Sequence, residues 1–445
     1  MIITRGWRVL TVMAGSLCAC GSASARQYYV ATTGSDTDPG TQEHPWATLQ
    51  HAVEAVDPGD AIVVVAGVYA GCRIQRPGKP DAPCTLKAEE GATVVLDRPG
   101  PQNRRRSVLE VGSGGGVVSH WVVDGLEVTN SPMWGINLGR TEYVTVQNCR
   151  VHDCHQTGIF TSFSDHVTIQ FNESWSNGEH GIYHSNSGDY PVIRGNRSHD
   201  NAGCGIHMNG DINMGGDGLI SFAVVERNVI WANAKRGGSA INCDGVSDSI
   251  IRNNLCYHNQ ASGISLYAID GSEGSSRNQV LNNTLVMGPD GRWVINIPWW
   301  QRRSRPVGNV VMNNILYTSN PATGSILIWG PEALAASDCN VVVDRFADDG
   351  VIGEEAPVQP PVWKAEVEGG QRILSLDGWR QRGYDAHSVV ARPEDLFVDA
   401  AGNDYRLRKG SPAAGMGKAL PEVTEDVEGR RRGKEVDVGC YALPR

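Results

Sequence analysis

A repeat of about 24 residues in the middle of the chain constrains the fold more than any other feature. Asn148, Asn172 and Asn196 are each 24 residues apart, and a Gly-Ile pair or a close variant lies between successive asparagines. Aligning the isoleucines produces one series: Ile136, Ile159, Ile182, Ile206, Ile241, Ile264 and Ile295. The residue two positions after each isoleucine is mostly apolar and the residue between is mostly polar, which indicates a strand with one buried face.

One such strand per repeat predicts an all-β fold, a single-stranded right-handed parallel β-helix. Each repeat is then one coil, stacked on the previous coil at about 4.8 Å, with the isoleucines as a continuous core. Longer steps between isoleucines imply loops inserted between strands. We expect the recurring asparagines to form an internal ladder at a turn, because stacked amides satisfy backbone groups that the bend would bury unpaired. These asparagines are Asn148, Asn172, Asn196, Asn228, Asn254, Asn283 and Asn314.

Both ends of the chain differ from the repeat. Pro45-Trp46 opens a predicted helix whose apolar residues Trp46, Leu49, Val53 and Val56 keep helical spacing. Residues 40–70, approximately, are predicted to form an N-terminal cap that covers the open end of the coil stack. Residues 345–395, approximately, lose the repeat and are predicted to form a lobe. We therefore treat residues 26–445 as one β-helix domain with an irregular C-terminal region.

Residues 1–25 have the pattern of an export signal. Arg5 and Arg8 give a positively charged start, and the apolar stretch that follows, residues 9–17, is too short to span a bilayer. Ala23-Ser24-Ala25 has the pattern of a cleavage site. We expect a secreted or periplasmic bacterial protein. The alternative is an outer-membrane lipoprotein, because residues 17–20 resemble a lipobox that would place a lipid on Cys20. No later segment has 18 consecutive apolar residues, so no membrane span is expected.

Charge and cysteine content narrow the function further. The 445 residues include 39 Lys and Arg against 49 Asp and Glu, a formal charge of −10, which argues against a nucleic-acid-binding surface. Nine of the 11 cysteines follow residue 25. Cys72 with Cys84, and Cys149 with Cys154, are candidates for disulfides. No Cys-x-x-Cys pair occurs, which argues against a zinc ribbon. We expect a monomer whose partner is a polysaccharide or oligosaccharide.

The two ends carry a family likeness. Tyr28-Tyr29-Val30, Gly34-Ser35-Asp36 and the run from Pro58-Gly59-Asp60 to Gly67-Val68-Tyr69 resemble the N-terminal cap of secreted right-handed parallel β-helix proteins. The run Asp404-Tyr405-Arg406-Leu407 and the run Asp437-Val438-Gly439-Cys440-Tyr441 are similar to the usual ending of such chains. That superfamily includes polysaccharide lyases, glycoside hydrolases and uronate epimerases, so the resemblance implies a carbohydrate-active protein.

The active-site patterns of known branches do not carry over to this chain. Pectate lyases with a similar cap use an aspartate cluster for calcium and a downstream lysine base on a strand. Here Asp244-Gly245 is followed by Asp248, but no lysine occurs between Lys235 and Lys364. The Asp-Pro-His-Asp run of alginate epimerases and the Asp-Asp and Gly-His-Gly steps of polygalacturonases are absent. The resemblance therefore leaves the reaction open.

Strand alternation predicts which residues face outward from the isoleucine sheet. One position past the isoleucines lie Asn137, Phe160, Tyr183, His207, Asn242, Ser265 and Asn296. Three positions past lie Gly139, Ser162, Ser185, Asn209, Asp244, Tyr267 and Pro298. These two outward columns hold amides, hydroxyls and aromatic rings, which suit sugar hydroxyls and sugar faces. A long groove on a stacked sheet suits a linear polymer, so we predict a glycan-binding cleft.

Glycoside hydrolysis needs a proton donor and a second carboxylate, and Asp211 and Asp244 are the candidate pair. One coil step of about 4.8 Å and two residues of about 3.3 Å place them roughly 8 Å apart, within the inverting range of about 6.5–9.5 Å. His207 is predicted either as a catalytic base or as a hydrogen-bond partner of the substrate. The predicted substrate-binding residues are Tyr183, Asn209, Asn242, Tyr267, Asp270, Asn296, Trp299 and Trp300.

Two alternatives remain open at this point. The first is a polysaccharide lyase or uronate epimerase, with calcium bound by Asp211, Asp217, Asp244 and Asp248, or with a Tyr/His acid–base pair. The second is a non-catalytic glycan-binding or envelope surface protein. The hydrolase hypothesis requires no cofactor.

Overall fold

A computed structural model describes residues 25–444, apart from 101, 104–106, 300–302 and 349–372. The predicted signal segment, the lipid site at Cys20 and Trp300 lie outside the described residues. The chain folds as a right-handed parallel β-helix, which confirms the predicted fold class. Each coil runs through a first, a second and a third sheet, and each of these sheets has 12 strands. The described residues contain no helix with the length and hydropathy of a membrane span.

The strands are short, and their bounds repeat from coil to coil. The first sheet consists of Gln27–Val30, Ala61–Val64, Cys84–Ala88, Val118–Asp124, Thr141–Gln147, Thr168–Gln170, Val192–Arg194, Val224–Glu226, Ile250–Arg252, Gln279–Leu281, Asn309–Met312 and Leu334–Asp338. The second sheet consists of Gly67–Ala70, Val94–Arg98, Glu127–Thr129, Arg150–His152, Glu173–Trp175, Arg197–His199, Val229–Trp231, Leu255–Tyr257, Thr284–Met287, Ile315–Thr318, Val341–Val342 and Val389–Val390.

The third sheet carries the isoleucine series. Its strands are Arg73–Ile74, Leu109–Gly112, Ile136–Gly139, Ile159–Ser162, Ile182–Ser185, Ile206–Asn209, Ser239–Asp244, Ser262–Tyr267, Ile295–Ile297, Ile326–Ile328, Phe346–Asp348 and Ile373–Leu374. All neighbouring strands of this sheet are parallel except the last pair. The seven isoleucines pair in one continuous register and are fully buried, as predicted. The third sheet therefore presents the two predicted columns on its outer face.

An asparagine ladder runs inside the coil stack, as expected, but its first asparagine is Asn172. Cys149, and not the predicted Asn148, occupies the rung before it. In each step, the side-chain oxygen of one asparagine accepts the backbone N–H and the side-chain N–H of the asparagine one coil earlier. The ladder consists of Asn172, Asn196, Asn228, Asn254, Asn283, Asn314 and Asn340. Asn148 is not a member, because Cys149 donates its N–H to Asn172 and the Asn148 side chain bonds Asp124 at the surface.

A second asparagine ladder, not predicted from the sequence, follows five residues after the first. It consists of Asn177, Asn201, Asn233 and Asn259. Cys154 stands at its foot and donates its N–H to Asn177, as Cys149 does for the first ladder. Both ladders satisfy the polar backbone of buried turns between sheets.

The predicted disulfides are wrong. All nine cysteines of the described residues are free and buried: Cys72, Cys84, Cys149, Cys154, Cys204, Cys243, Cys256, Cys339 and Cys440. Cys84 opens a strand of the first sheet, whereas Cys72 precedes a strand of the third. Cys149 and Cys154 donate their backbone N–H groups to the first asparagines of two different ladders, so the two cysteines belong to separate turns.

The helical segments of the described chain are short. The N-terminal helix covers Leu49–Ala55, shorter than predicted, because Thr48 caps it by accepting the N–H of His51 and Trp46 lies before it. The short helices Leu376–Arg380 and Pro393–Leu396, and the 3₁₀ turns Ile212–Met214 and Pro331–Ala333, are the other helical segments described. Minor strand pairs join Ile220–Ser221 to Val246–Ser247 and Phe397–Asp399 to Asp404–Leu407.

The C-terminal segment folds back over the second sheet. Phe397, Tyr405 and Val438 form a hydrophobic cluster with Leu255 and Ile315 of that sheet. This packing covers part of the outer face of the second sheet. The outer face of the third sheet has no such C-terminal cover among the described residues.

Removing one rung of the first ladder should cost substantial stability. Asn228→Ala leaves the buried backbone N–H and the amide of Asn196, and the carbonyl of Ile193, without their partners. We expect the free energy of unfolding to fall by about 2–4 kcal/mol, measured by chemical denaturation. Asn148→Gly, at an exposed position with positive φ, is the matched control and should change it by about 0.5 kcal/mol or less. Equal effects would contradict the ladder.

His184 should make folding sensitive to acid. It points into the core, where burial lowers its pKa to about 4, with Thr161 2.6 Å from Nδ1 and the Gly188 carbonyl 2.8 Å from Nε2. Between pH 6.5 and about 4 the unfolded state binds this proton and the folded state does not, so stability falls as pH falls, by about 1.4 kcal/mol per unit. His184→Gln should lower stability at pH 7 but flatten this slope by one proton. An unchanged slope would contradict the argument.

Candidate functional site

The inter-coil register brings the predicted outward residues together on the third sheet. In the first column Tyr183 pairs with His207, and His207 pairs with Asn242. In the second column Ser185 pairs with Asn209, Asn209 with Asp244, and Asp244 with Tyr267. Neighbouring members of a column are therefore one coil apart, about 4.8 Å. The two predicted columns are confirmed as columns of one sheet.

The columns are more buried than a simple surface. Asn209, Asn242, Asp244 and Asn296 are 5%, 4%, 2% and 0% exposed, whereas Tyr183, His207 and Tyr267 keep partial exposure. Two long loops, which the periodic pattern does not describe, contact Asn209 and Asp244. These loops, residues 210–219 and 268–276, form a wall at one edge of the sheet.

Backbone hydrogen bonds join the two loops of the wall. Ile212 donates its N–H to the carbonyl of Asp270, and Ser272 donates its N–H to the carbonyl of Gly218. The 3₁₀ turn Ile212–Met214 belongs to the first of these loops. The wall therefore holds Asp211 and Asp270 beside the outward columns.

The centre of the face is a set of aromatic rings around His207. The His207 ring stacks on that of His180, with centroids 4.7 Å apart, and meets the ring of Tyr183 edge-on at 4.5 Å. Cys204 lies between the two histidines, with its sulfur 3.6 Å from Nδ1 of His207 and its N–H donated to Nδ1 of His180. Neither His180 nor Cys204 is among the site residues predicted from the sequence. Both stand two positions before a column isoleucine, so their alignment one coil apart was the available signal.

An amide and two hydroxyl groups complete the centre. The Asn242 amide lies 2.9 Å from Nδ1 of His207, 2.6 Å from the Tyr267 hydroxyl and 3.1 Å from the Ser239 hydroxyl. The amide of Asn209 donates to the Tyr183 hydroxyl at 3.3 Å. His207, Tyr183, Tyr267, Asn209 and Asn242, which we call the His207 cluster, thus contact one another in a chain. Their meeting confirms that the register brings these predicted residues together.

Burial sets the protonation states of the His207 cluster. Desolvation, with a smaller contribution from His180, holds the pKa of His207 well below 6.5. Desolvation also raises the pKa of Tyr183 and, more strongly, that of Tyr267. Near neutral pH the imidazole is therefore neutral and both phenols keep their protons. A neutral imidazole can accept a proton and a phenol can donate one.

Asp244 has a structural environment that the pair hypothesis did not anticipate. One oxygen accepts the N–H groups of Ile269 and Gly271, and the other accepts the N–H of Asp270. Burial raises the pKa of Asp244 to about 6, opposed by these three hydrogen bonds. Because the carboxylate anchors the second loop of the wall and is 2% exposed, we place it outside the reacting groups.

Asp211 and Asp270 are the carboxylates that remain beside the His207 cluster. Asn209 links them, because its oxygen accepts the N–H of Asp211 at 3.0 Å and its nitrogen lies 3.4 Å from Oδ2 of Asp270. Asp211 has positive φ and caps the 3₁₀ turn through the N–H of Asn213. The negative charges of both aspartates act on Tyr183.

The four aspartates predicted to bind calcium do not form one ligand group. Asp248 lies at the entry to the first sheet, where both of its oxygens bind Arg277 at 2.7 Å. Asp217 is exposed and accepts the N–H of Leu219. Asp211 and Asp244 are committed to the backbone contacts described above. The donor set thus does not fit a cation that takes six to eight oxygen ligands, and we derive no step through calcium.

The described residues contain two groups of side chains with the spacing of metal ligands. One is His180, Cys204 and His207, and the other is Asp338, Cys339 and His387. In the first group, Nδ1 of His180 already accepts the N–H of Cys204 at 2.9 Å, so its Nε2 carries the proton. That contact leaves His180 without a lone pair for a cation.

Trp299, predicted to bind substrate, packs against the end of the third sheet. Trp299 packs with Trp293, Leu327 and Trp329, and its ring lies 4.2 Å from the guanidinium of Arg305. Asn296, fully buried on the same face, has neither amide atom hydrogen-bonded within the described chain. The tryptophans therefore close one end of the face rather than extending it as an exposed loop.

Known proteins resemble this chain in sequence and fold. A family model described as "Pel9A-like, right handed beta helix region" matches residues 28–206. Pectate lyase PEL9 from Emericella nidulans is 24% identical over 311 residues, covering 59% of this chain and 74% of that protein. These matches confirm the resemblance to right-handed parallel β-helix proteins.

Solved structures show the same fold over most of the chain. The structure of pectate lyase Pel9A has a TM-score of 0.63 at 15% identity and covers 95% of this chain and 97% of its own. A rhamnogalacturonan lyase has a TM-score of 0.59 at 15% identity, over 71% and 87% of the two chains. XylC, solved with xylose, has a TM-score of 0.56 at 12% identity, over 94% and 98%.

Asp244→Asn should weaken the wall. An amide nitrogen cannot accept the N–H groups that the carboxylate accepts, so at least one buried N–H loses its partner. We expect the free energy of unfolding to fall by about 1–3 kcal/mol. Hydrogen exchange should become faster at Asp270, because the remaining oxygen can still accept the N–H groups of Ile269 and Gly271. Asp217→Asn, at the exposed end of the other loop, is the control and should change neither. Unchanged exchange in Asp244→Asn would contradict the anchoring role.

Proposed function

We propose that this chain is an enzyme that cleaves a uronate-containing polysaccharide by β-elimination at the His207 cluster. The observation that carries the proposal is the contact of the His207 ring with that of Tyr183 at 4.5 Å, and with Tyr267 through Asn242, on one face of the third sheet. Burial favours the neutral imidazole and the protonated phenols. Two similar proteins, a pectate lyase and a rhamnogalacturonan lyase, are in keeping with it. We extend the proposal to an exported protein acting on an external glycan.

The proposed chemistry assigns one role to each member of the cluster. His207 removes the proton at C5 of the uronate, and the electron pair of that C–H bond forms the C4–C5 double bond. The C4–O bond to the neighbouring sugar breaks, and Tyr183 donates its phenolic proton to the departing oxygen. Asn209 and Tyr267 hydrogen-bond the substrate. One proton is taken and one is supplied, so the step balances, and proton exchange with water restores both residues.

A second candidate function is hydrolysis, and it rests on a specific contact. Asp211 and Asp270 are linked through Asn209, and the charges of both act on Tyr183. Two carboxylates beside a sugar site are the usual requirement for glycoside hydrolysis. This pair replaces the Asp211 and Asp244 pair of the sequence analysis. XylC, solved with xylose, is a similar fold with a sugar ligand.

Product analysis separates the two candidates. Purified protein incubated with polygalacturonate, rhamnogalacturonan, alginate and xylan should release products that absorb in the ultraviolet, as an unsaturated uronate does. New reducing ends without this absorption would instead favour hydrolysis, and binding without turnover would favour a glycan-binding protein.

His207→Gln should lower kcat/KM about 100-fold or more. His258→Asn, on an exposed turn, should leave it unchanged.

The acid side of the pH–rate profile tests the protonation states. Because the pKa of His207 lies well below 6.5, the neutral base persists as the pH falls through 6.5, and kcat/KM should decline only at more acid pH. Tyr183→Phe should lower kcat with little effect on KM, while exposed Tyr143→Phe should change neither. Added chelator should leave the rate unchanged. A chelator-sensitive rate would contradict the metal-independent step and revive calcium binding.

A further inference from the structure

We infer that Asn242 is a positioning residue: its side-chain oxygen accepts a hydrogen bond from Nδ1–H of His207 and so leaves the lone pair on Nε2. The use of that lone pair as a base rests on the proposed function. The tautomer itself follows from the contacts of Asn242. The tautomer decides whether Nε2 of His207 carries a lone pair and can therefore accept a proton.

The contacts of the Asn242 amide determine which of its ends faces His207. Turning an amide by half a rotation exchanges oxygen and nitrogen without changing its shape, so the hydrogen-bond distances select the orientation. One end lies 2.6 Å from the Tyr267 hydroxyl and 2.9 Å from Nδ1 of His207. The other end lies 3.1 Å from the Ser239 hydroxyl.

All three distances suit an oxygen that faces His207. The 2.6 Å contact is then an O–H···O bond from Tyr267, for which about 2.5–3.0 Å is usual. The 2.9 Å contact is an N–H···O bond from His207, at the usual length of about 2.9–3.0 Å. The amide nitrogen donates to Ser239 at 3.1 Å, within the N–H···O range of about 2.7–3.2 Å.

The opposite orientation fits less well. The 2.6 Å contact would become an N–H···O bond, shorter than the usual minimum of about 2.7 Å. The 3.1 Å contact would become an O–H···O bond from Ser239, longer than the usual maximum of about 3.0 Å. Ser239 also has a better acceptor for its proton, because the Ser265 hydroxyl lies 2.7 Å away. The distances therefore favour the orientation in which the carbonyl end of Asn242 faces His207.

Two neighbouring histidines are held in the opposite tautomer and serve as internal references. Nδ1 of His180 accepts the N–H of Cys204, so its proton is on Nε2. Nε2 of His184 lies 2.8 Å from the Gly188 carbonyl, which can only accept, so its proton is also on Nε2. His207 is thus expected to differ from both.

Few titratable groups face His207, so a shift in its pKa can be interpreted. They are His180, Tyr183, Cys204 and, across Asn242, Tyr267. Burial raises the pKa of Cys204 to about 12 and raises that of both tyrosines, so these three are uncharged near neutral pH. Burial lowers the pKa of His180 to about 4, so it is uncharged too. A carboxylate at position 242 would be a new charge on an otherwise neutral set.

Nitrogen-15 NMR of the full chain with labelled histidine tests the tautomer directly. Two-bond nitrogen–proton correlations near pH 7 should show the proton of His207 on Nδ1 and those of His180 and His184 on Nε2. The His207→Gln spectrum assigns the signal. A proton on Nε2 of His207 would overturn the inference, and it would do so without any activity measurement, so the two proposals fail separately.

Two substitutions of Asn242 test the positioning role. Asn242→Leu removes the acceptor, so the proton of His207 should move to Nε2 and kcat/KM should fall about 100-fold. Asn242→Asp keeps the acceptor and adds a charge, so Nδ1–H should persist and the acid limb of the pH–rate profile should move up by about one unit or more. An Asn242→Leu protein that keeps both the Nδ1 proton and its rate overturns the role. If that variant does not fold, the role is overturned when the acid limb of the pH–rate profile of Asn242→Asp does not move.

Discussion

The hydrogen bonds between successive coils are the constraint on which the rest of this structure depends. In a parallel β-helix every strand pairs with the strand one coil before and one coil after, so register is inherited along the whole chain. A shift of one residue anywhere would turn the isoleucine column outward and the polar columns inward. The asparagine ladders fix the turns against such a shift, because each amide bonds both the backbone and the side chain of the neighbouring rung.

This inheritance explains how much of the site could be predicted without coordinates. Period-two alternation identified the third sheet and placed Tyr183, His207, Asn209, Asn242 and Tyr267 on its outer face, because a regular strand leaves only two choices for each side chain. The first ladder was predicted for the same reason. Its foot was misplaced at Asn148, because the adjacent Cys149 fills the same backbone position with a side chain that carries no amide.

The remainder depends on loops, where periodicity carries no information. The sequence places Asp244 in an outward column, but only the fold of residues 268–276 shows that three backbone N–H groups take up its oxygens. Asp248 is four residues further on and already belongs to another turn, beside Arg277. Asn242 and Asn296 are buried as well, although alternation alone describes their face as exposed.

The repeat itself indicates where chemistry was built into the scaffold. Isoleucine steps of 23, 23 and 24 residues precede Ile206, whereas the step to Ile241 is 35 and that to Ile295 is 31. The extra residues of the first long step include the wall loop that follows Asn209, beside His207. Burial of the imidazole and the two phenols on this face holds the imidazole neutral and the phenols protonated near neutral pH. Glycine makes room for this packing: a Cβ at Gly203 would lie 2.7 Å from Nδ1 of His180, so a larger residue would displace the ring that His207 stacks upon. The regular coil stack thus aligns the outward side chains, and the inserted loops add Asp211 and Asp270 beside them.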